Sequence, residues 1–552
     1  MEQTPFNLLE EPWIRVMTED CVVRECSLKQ VLLDSHKYMR LAGELPTQDV
    51  AILRLLLAVL HTVFYRVDLD GEEDPIEERG QAIDRWQALW NESAFPEKPI
   101  CEYFETWKDR FWLFHPEYPF YQIPGADVGT SYTAAKLNGE LSESSNKIRL
   151  FPVCAGENKK SLSYAEAARW LITLMGFDDV STKVETGTGA GWLGQHISLY
   201  ATGRNLFETL MLNLAFLKDG KQLWERNKPA WEKNIDKTAK KKQITIPDNQ
   251  AELLTLQSRR VLLYRENDRV VAYRTAGGDF FGKDGDVNAF DEQMTQWKKE
   301  KVRKNEVPKY KPAKVERERQ MWRDFETFVE RTEGHIPGIA AWIQLLKRRK
   351  IIERGFVHFN SVGVAYDSKG SSLAEVFYDR IDFHISLLDE AGEQWIALIQ
   401  KEIERTENAA KCLGDLAVGL YKASGGEPDI KKQNKKKQHS KKQDTKKQQA
   451  ERDYYAAVDI PFRKWLYAID PSLGDAEELR AERDKMWREE AYRIAMAQGE
   501  NMVRSAGTAA FTGRWVEGSC FTTPGEFNKF VRKIRNCLDV KSLKKEAFDE
   551  QL

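Results

Sequence analysis

Near position 380 the spacing of apolar residues changes, and that change restricts the chain to a two-part architecture. Beyond Phe383, the residues Leu387, Leu388, Trp395, Leu398, Ile399 and Ile403 recur at the spacing of one helix face. Gly425-Gly426 ends this segment, and helical patterns return over 454–469, 476–506 and 524–538. Pro461 marks a break point in the first of these. Four helices of such lengths predict an antiparallel four-helix bundle over 381–552.

Residues 1–380 hold no single period. A buried helix is expected over 47–65, opened by Thr47, and a second over 163–174, with Ser163 as N-cap and Glu166 completing a capping box. Strands are expected over 261–264 and 270–273, joined through Glu266-Asn-Asp as a hairpin. The fold class read from these patterns is α+β: a large mixed N-terminal domain, 1–380, followed by a C-terminal four-helix bundle, 381–552. A chain of 552 residues exceeds one ordinary domain, in keeping with this division.

One stretch resists both patterns. Nine lysines lie between Lys431 and Lys447, with almost nothing apolar among them. Such a segment cannot bury enough surface to order itself, so a disordered Lys-rich loop is expected at about 428–452. It serves equally as a phosphate-binding tether or as a solvated insertion, since polybasic loops bind nucleic acid without sequence choice. The net charge of the whole chain is only −2, which argues against a protein coated in nucleic acid and leaves room for local basic patches.

Motifs for common chemistry fail in their context. Gly189-Ala-Gly191-Trp-Leu-Gly194 has glycines at dinucleotide-site spacing, but a Thr-rich acidic loop precedes it and a strand-prone stretch follows. Gly277-Gly-Asp-Phe-Phe-Gly282-Lys283 approaches a phosphate loop, yet Asp284 stands where a magnesium-binding hydroxyl is needed. A hairpin tip presenting Lys283 fits this stretch better. The eight His are dispersed, and acidic pairs such as Asp178-Asp179 read as surface features. The seven Cys are scattered without zinc-ligand spacing, so reduced thiols and no metal are expected. The N-terminal MEQTPFNLLEEPW lacks the features of a leader, and the apolar run 51–64 carries Arg54 and His61 and is too short to span a bilayer. A cytoplasmic protein without membrane contact, cofactor or catalytic constellation is the expectation. A nuclease built from distant carboxylates, or a scaffold binding RNA without sequence choice, are the alternatives.

Four blocks, in order, point to a family. They are Phe6-Asn-Leu-Leu-Glu-Glu-Pro-Trp13-Ile14; then Ala135-Lys-Leu-Asn with Ser145-Asn146, Leu150-Phe151-Pro152 and Tyr164-Ala-Glu-Ala-Ala-Arg-Trp170; then Leu254-Thr-Leu-Gln257-Ser-Arg259-Arg260; and Val362-Gly363-Val-Ala-Tyr366-Asp-Ser-Lys369-Gly370. With the helical C-terminal part, the set resembles the large subunit of the type I-E CRISPR Cascade, the CasA family. The resemblance implies a non-enzymatic subunit of an RNA-guided antiviral complex. Guide RNA would read the target by pairing, while this chain reads the PAM through the minor groove and starts duplex opening. Implied partners are guide RNA, the backbone, handle-binding and small subunits, double-stranded target DNA and a helicase-nuclease.

The resemblance also assigns residues. Phe151, Pro152 and Val153 fall where the family docks on the guide's 5′ handle and a neighbouring subunit, although a core Phe following a loop would read the same. The glycine loop near the PAM falls within 181–191, which makes Lys183, Gly187, Gly189 and Gly191 candidates. The lysine finger matches Lys283, with Lys298 or Lys299 as substitutes. The wedge falls at Ser368, Lys369 and Gly370, where relatives commonly carry Gln at the tip. Some relatives carry paired Cys motifs where this chain reads Leu162-Ser-Tyr-Ala-Glu, so no zinc is expected.

Overall fold

The helix at the centre of the N-terminal part begins with a proline. The computed structural model describes residues 6–143, 148, 150–179, 189–225, 228–233, 240, 242–244, 247, 249–281, 292–299, 310–316, 318–329, 336–353, 355–367, 373–425, 433–473, 477–516 and 518–540. In it the helix spans Pro46–Phe64, so Thr47 is its second residue and not its cap. Proline suits the first helical position because the N–H it lacks would find no partner there. This is the one stretch among the described residues long and apolar enough to cross a membrane, and nearly all of it is buried in the fold. It packs against the helices Tyr164–Phe177 and Gln250–Leu254.

The chain divides into two compact units: Met1–Arg317, Glu330–Glu353 and Val357–Arg380 form one, and Glu318–Val329, Arg354–Phe356 and Ile381–Leu552 the other. The α+β class holds. Small sheets run through the first unit. Ile14–Thr18 pairs antiparallel with both Val23–Cys26 and Tyr38–Leu41. Trp13, at the entry to the first of these strands, is wholly buried and donates its indole N–H to the Leu8 carbonyl at 2.9 Å.

The expected hairpin is longer than its apolar core suggested, with Arg259–Glu266 pairing antiparallel to Arg269–Gly277. Asn267 and Asp268 turn it with φ of 48° and 60°. Two consecutive left-handed residues form the turn whose twist matches the flanking strands, and Asn and Asp tolerate that conformation best after Gly. Asp279–Phe281, which leads to Lys283, pairs in parallel with Lys242–Ile244. A further, three-stranded sheet has the order Leu373–His384, Phe356–Tyr366, Ser198–Thr202.

The helix Tyr164–Phe177 opens with the expected capping box. The Ser163 hydroxyl accepts from the Glu166 N–H at 3.2 Å, and the Glu166 carboxylate accepts from the Ser163 N–H at 2.7 Å. Two donors that the helix cannot satisfy are met in this way. The helix ends at Phe177, beside the candidate site.

Among the described residues the second unit shows four long helices, Glu393–Ala423, Gln433–Tyr467, Glu477–Arg504 and Thr523–Cys537, with a short helix and a β-hairpin between the last two. Glu393–Ala423 packs against each of the other three. Trp487 donates to the Thr406 hydroxyl at 3.0 Å and meets Phe462 edge-on at 4.9 Å. Residues 318–329, placed by sequence in the N-terminal domain, belong here instead. Trp322 stacks on Phe462 at 4.2 Å and donates to Asp459 at 2.9 Å.

The Lys-rich loop is a correction. Much of 428–452 lies within the helix Gln433–Tyr467, which also continues through Pro461; residues 426–432 are outside the described set. Lys and Gln are good helix formers, and propagation from an existing helix adds one bond per residue without a new nucleus. The buried Tyr454, Val458, Phe462 and Leu466 supply that existing helix. Composition had registered the missing apolar face but not the anchored neighbour.

Candidate functional site

Of the residues assigned to DNA contact, Lys183, Gly187, Lys283, Ser368, Lys369 and Gly370 lie outside the described residues. Their flanks are described, and the flanks of all three segments meet. Arg259, at the start of the long hairpin, is almost fully buried. Its Nε donates to the Asp178 carboxylate at 2.8 Å, and its Nη2 donates to the carbonyls of Asp179 at 2.8 Å and Gly189 at 2.9 Å. One guanidinium thus holds both ends of the segment 180–188. The Gly191 N–H donates to the Asp178 carbonyl at 2.9 Å, closing the same root a second time.

Both described glycines serve this closure. Gly189 has φ of 83°, a conformation costly for residues with a Cβ. A Cβ on Gly191 would collide with the Gly176 carbonyl.

Asp179 is held in turn by Lys136, at 2.5 Å, and both side chains are buried. The acidic pair 178–179, read from sequence as a surface feature, is a buried anchor. Burying charges is tolerable only when each is paired and hydrogen-bonded, which this arrangement provides.

The other two segments leave from the same place. Tyr366, at the end of the strand before segment 368–372, donates its hydroxyl to the Phe177 carbonyl at 2.7 Å. Burial, with the Asp178 carboxylate nearby, pushes this phenol well above its ordinary value, so it remains a donor. A small cavity of about 60 Å³ is lined by residues that include Phe177, Asp178, Asp179, Lys136, Tyr366 and Leu373, the last being the first described residue after segment 368–372. Phe281, the last described residue before Lys283, meets Trp192 edge-on at 4.8 Å, and the Trp192 N–H donates to the Ser258 hydroxyl at 3.1 Å. The Arg260 guanidinium holds Asp279 on that same strand at 2.5 Å.

Each of the three segments carries a single lysine and no arginine: Lys183 in 180–188, Lys283 in 282–291 and Lys369 in 368–372. Among the described residues, no group of three His, Cys, Asp or Glu is placed to hold a metal.

The chain as a whole has relatives. A family model described as CRISPR-associated protein Cse1 matches residues 7–498. The chain belongs to the Cse1 family. The CasA/Cse1 protein of Thermus thermophilus is 26% identical over 517 residues, covering 92% of this chain and 94% of that one. The crystal structure of Thermobifida fusca Cse1 is 26% identical with a TM-score of 0.78, covering 97% of this chain and 98% of that one. A structure described as a CRISPR RNA-guided surveillance complex contains a chain of the same fold, at 17% identity and a TM-score of 0.66, covering 97% and 99%. The family is that of the type I-E Cascade large subunit, which the four sequence blocks resemble.

In this Cse1 family member the handle-docking candidates lie on an exposed stretch. Phe151 is 89% exposed, with Ile148, Leu150 and Val153 exposed around it and Pro152 half-buried. The core alternative for Phe151 is thereby removed. A cluster of bare apolar side chains on one short stretch is a mark of a contact surface. Lys298, the substitute finger, forms an ion pair with Glu316; nothing is described for the side chain of Lys299.

Residue reasoning missed Arg259, Asp178, Asp179, Lys136 and Tyr366 as a unit. Three of them stood inside the blocks quoted for the family, but no local pattern joins positions 43, 81 and 189 residues apart.

Proposed function

We propose that this chain is the DNA-recognising, non-catalytic subunit of an RNA-guided surveillance complex, acting in the cytoplasm with guide RNA and the complex's backbone, handle-binding and small subunits. It reads the PAM from the minor groove of double-stranded target DNA, starts strand separation there, and recruits a helicase-nuclease. The observation that carries this reading is that the described flanks of three one-lysine segments meet around the Arg259–Asp178–Tyr366 root. Loops on a rigid scaffold recognise; loops on separate supports cannot keep a common register on one duplex. A lysine entering the minor groove meets acceptors and a negative potential, and insertion beside the PAM is offset by the contacts it opens.

The three lysines are not equal. Segment 282–291 also carries Asp284, Asp286 and Asp291, which oppose a phosphate backbone, whereas 368–372 carries no acid. Lys369→Ala is expected to weaken PAM-dependent binding about tenfold, or about 1.4 kcal/mol. Lys283→Ala is expected to cost less, about three- to fivefold, because its neighbours already repel the backbone. The measurement is binding of the guide-loaded complex, with and without this chain, to matched duplexes differing only in the PAM. Binding that ignores both the PAM and the chain would leave a scaffold role in its place.

Phe151→Ser tests the docking surface. Because the ring is solvent-exposed, the melting temperature should hold, with stability changed by no more than about 0.5 kcal/mol. Affinity for the guide-loaded remainder of the complex is expected to fall at least about tenfold, as for an aromatic anchor. Unaltered assembly would remove Phe151 from the interface.

A further inference from the structure

A second cavity lies beside Arg260, the neighbour of Arg259 on the same strand. A cavity of about 210 Å³ is lined by the rings of Tyr118, Phe120, Tyr121 and Trp231 and by four cations, Arg110, Lys233, Lys242 and Arg260. Two carboxylates, Glu252 and Asp279, also line it, which leaves a surplus of two positive charges. The carboxylates are already engaged, Glu252 by Lys233 and Asp279 by Arg260.

The donors that remain point to a ligand. Arg260 is 3% exposed, yet among the described residues its Nε finds no hydrogen-bond partner, and the same holds for the buried Nη1 of Arg110. Two guanidinium donors left unused at one cavity are uncommon, since buried charged donors are nearly always paired. Arg110 also lies over the Tyr118 ring, 4.1 Å from its centroid, a cation–π contact that holds the guanidinium at the cavity. Tyr121 holds φ at 55°, a backbone state that bulky side chains rarely adopt and that recurs where a chain shapes a binding site.

Rings beside unpaired guanidinium groups suit a flat heteroaromatic body carrying an oxyanion: bases stack on aromatic faces, and guanidinium forks match phosphate oxygens. The cavity is smaller than the ~300 Å³ at which drug-sized pockets begin, which favours a single small unit. We propose that this cavity binds one nucleoside monophosphate unit, with the base against the rings and the phosphate on Arg110 and Arg260. The unit belongs either to a nucleic-acid strand or to a free nucleotide.

Calorimetric titration of the full chain with AMP, adenosine, inorganic phosphate and a short 5′-phosphorylated single strand tests this. AMP is expected to bind saturably at one site, with adenosine and phosphate each at least tenfold weaker. Arg110→Ala and, separately, Lys242→Ala at the exposed rim should each weaken AMP several-fold or more without lowering the melting temperature. A strand binding at least tenfold tighter than AMP assigns the site to nucleic acid; equal binding assigns it to free nucleotide, and both support the site. AMP binding no tighter than phosphate, or unaltered by both substitutions, overturns it. PAM-dependent duplex binding is not read in this assay, so its failure and that of the loop assignment are separable.

Discussion

Arg259→Ala is expected to destabilise the N-terminal unit by about 3–5 kcal/mol, the range for removing one partner of a buried ion pair. The substitution strips the buried Asp178 of its guanidinium and takes a donor from the carbonyls of the buried Asp179 and of the exposed Gly189. The denaturant midpoint should fall accordingly, and PAM discrimination by the assembled complex should be lost with it. Arg259→Lys separates the two effects. A single ammonium can keep Asp178 but cannot also span both carbonyls that flank segment 180–188, because it lacks the planar fork. Most of the stability should therefore return, while PAM discrimination stays reduced. Asp178→Ala combined with Arg259→Ala should cost less than the two single changes added together, as for residues in direct contact. Full discrimination by Arg259→Lys would show that the root does not position the loops.

Glu402→Gln is expected to stabilise the helical unit at pH 8.5 and to change it little at pH 5. Glu402 is buried on the Glu393–Ala423 helix, where it accepts from Arg405 at 2.6 Å. Burial, and then the neighbouring Asp484, push its carboxyl up to about 8. The folded state therefore keeps a proton that the unfolded chain releases near 4.5, so the native form binds more protons between these values. Stability must then fall as pH rises from about 4.5 to about 8, and level off outside that window. At 1.36 kcal/mol per pKa unit, the loss across the window is at most about 4–5 kcal/mol. Glutamine keeps the shape and a donor toward Asp484 without the titration. At pH 8.5 it should raise the melting temperature of this unit by roughly 5 °C or more, given about 2–4 °C per kcal/mol for a unit of this size. An earlier melt of the variant at pH 8.5 would mean that Glu402 is ionised and its Arg405 contact dominates.

The elements whose causes are local were legible in the amino-acid order. Ser163 and Glu166 are three residues apart, and their reciprocal bonds need nothing beyond one helix turn. Asn267-Asp268 turns its hairpin through its own backbone preferences, and the helical C-terminal region shows its face every three or four residues. Ordered family blocks, distributed over nearly the whole length, carried the identity that no single motif supplied.

The remainder depended on pairings between distant positions. Asp178 and Asp179 look like any exposed acidic pair until Arg259 and Lys136 arrive from 81 and 43 residues away to neutralise them in a dry environment. Tyr366 reaches Phe177 across 189 residues and brings the strand that precedes segment 368–372 to the helix that precedes segment 180–188. The Lys-rich stretch failed the composition test as a free segment, yet it continues a helix nucleated by Tyr454, Val458 and Phe462 packing in the bundle. Local order thus follows from backbone and side-chain preferences within a few residues, which sequence alone determines. Whether a charge is buried, a glycine is crowded or a polar helix persists depends on which distant surface excludes water from it, and that the tertiary structure decided.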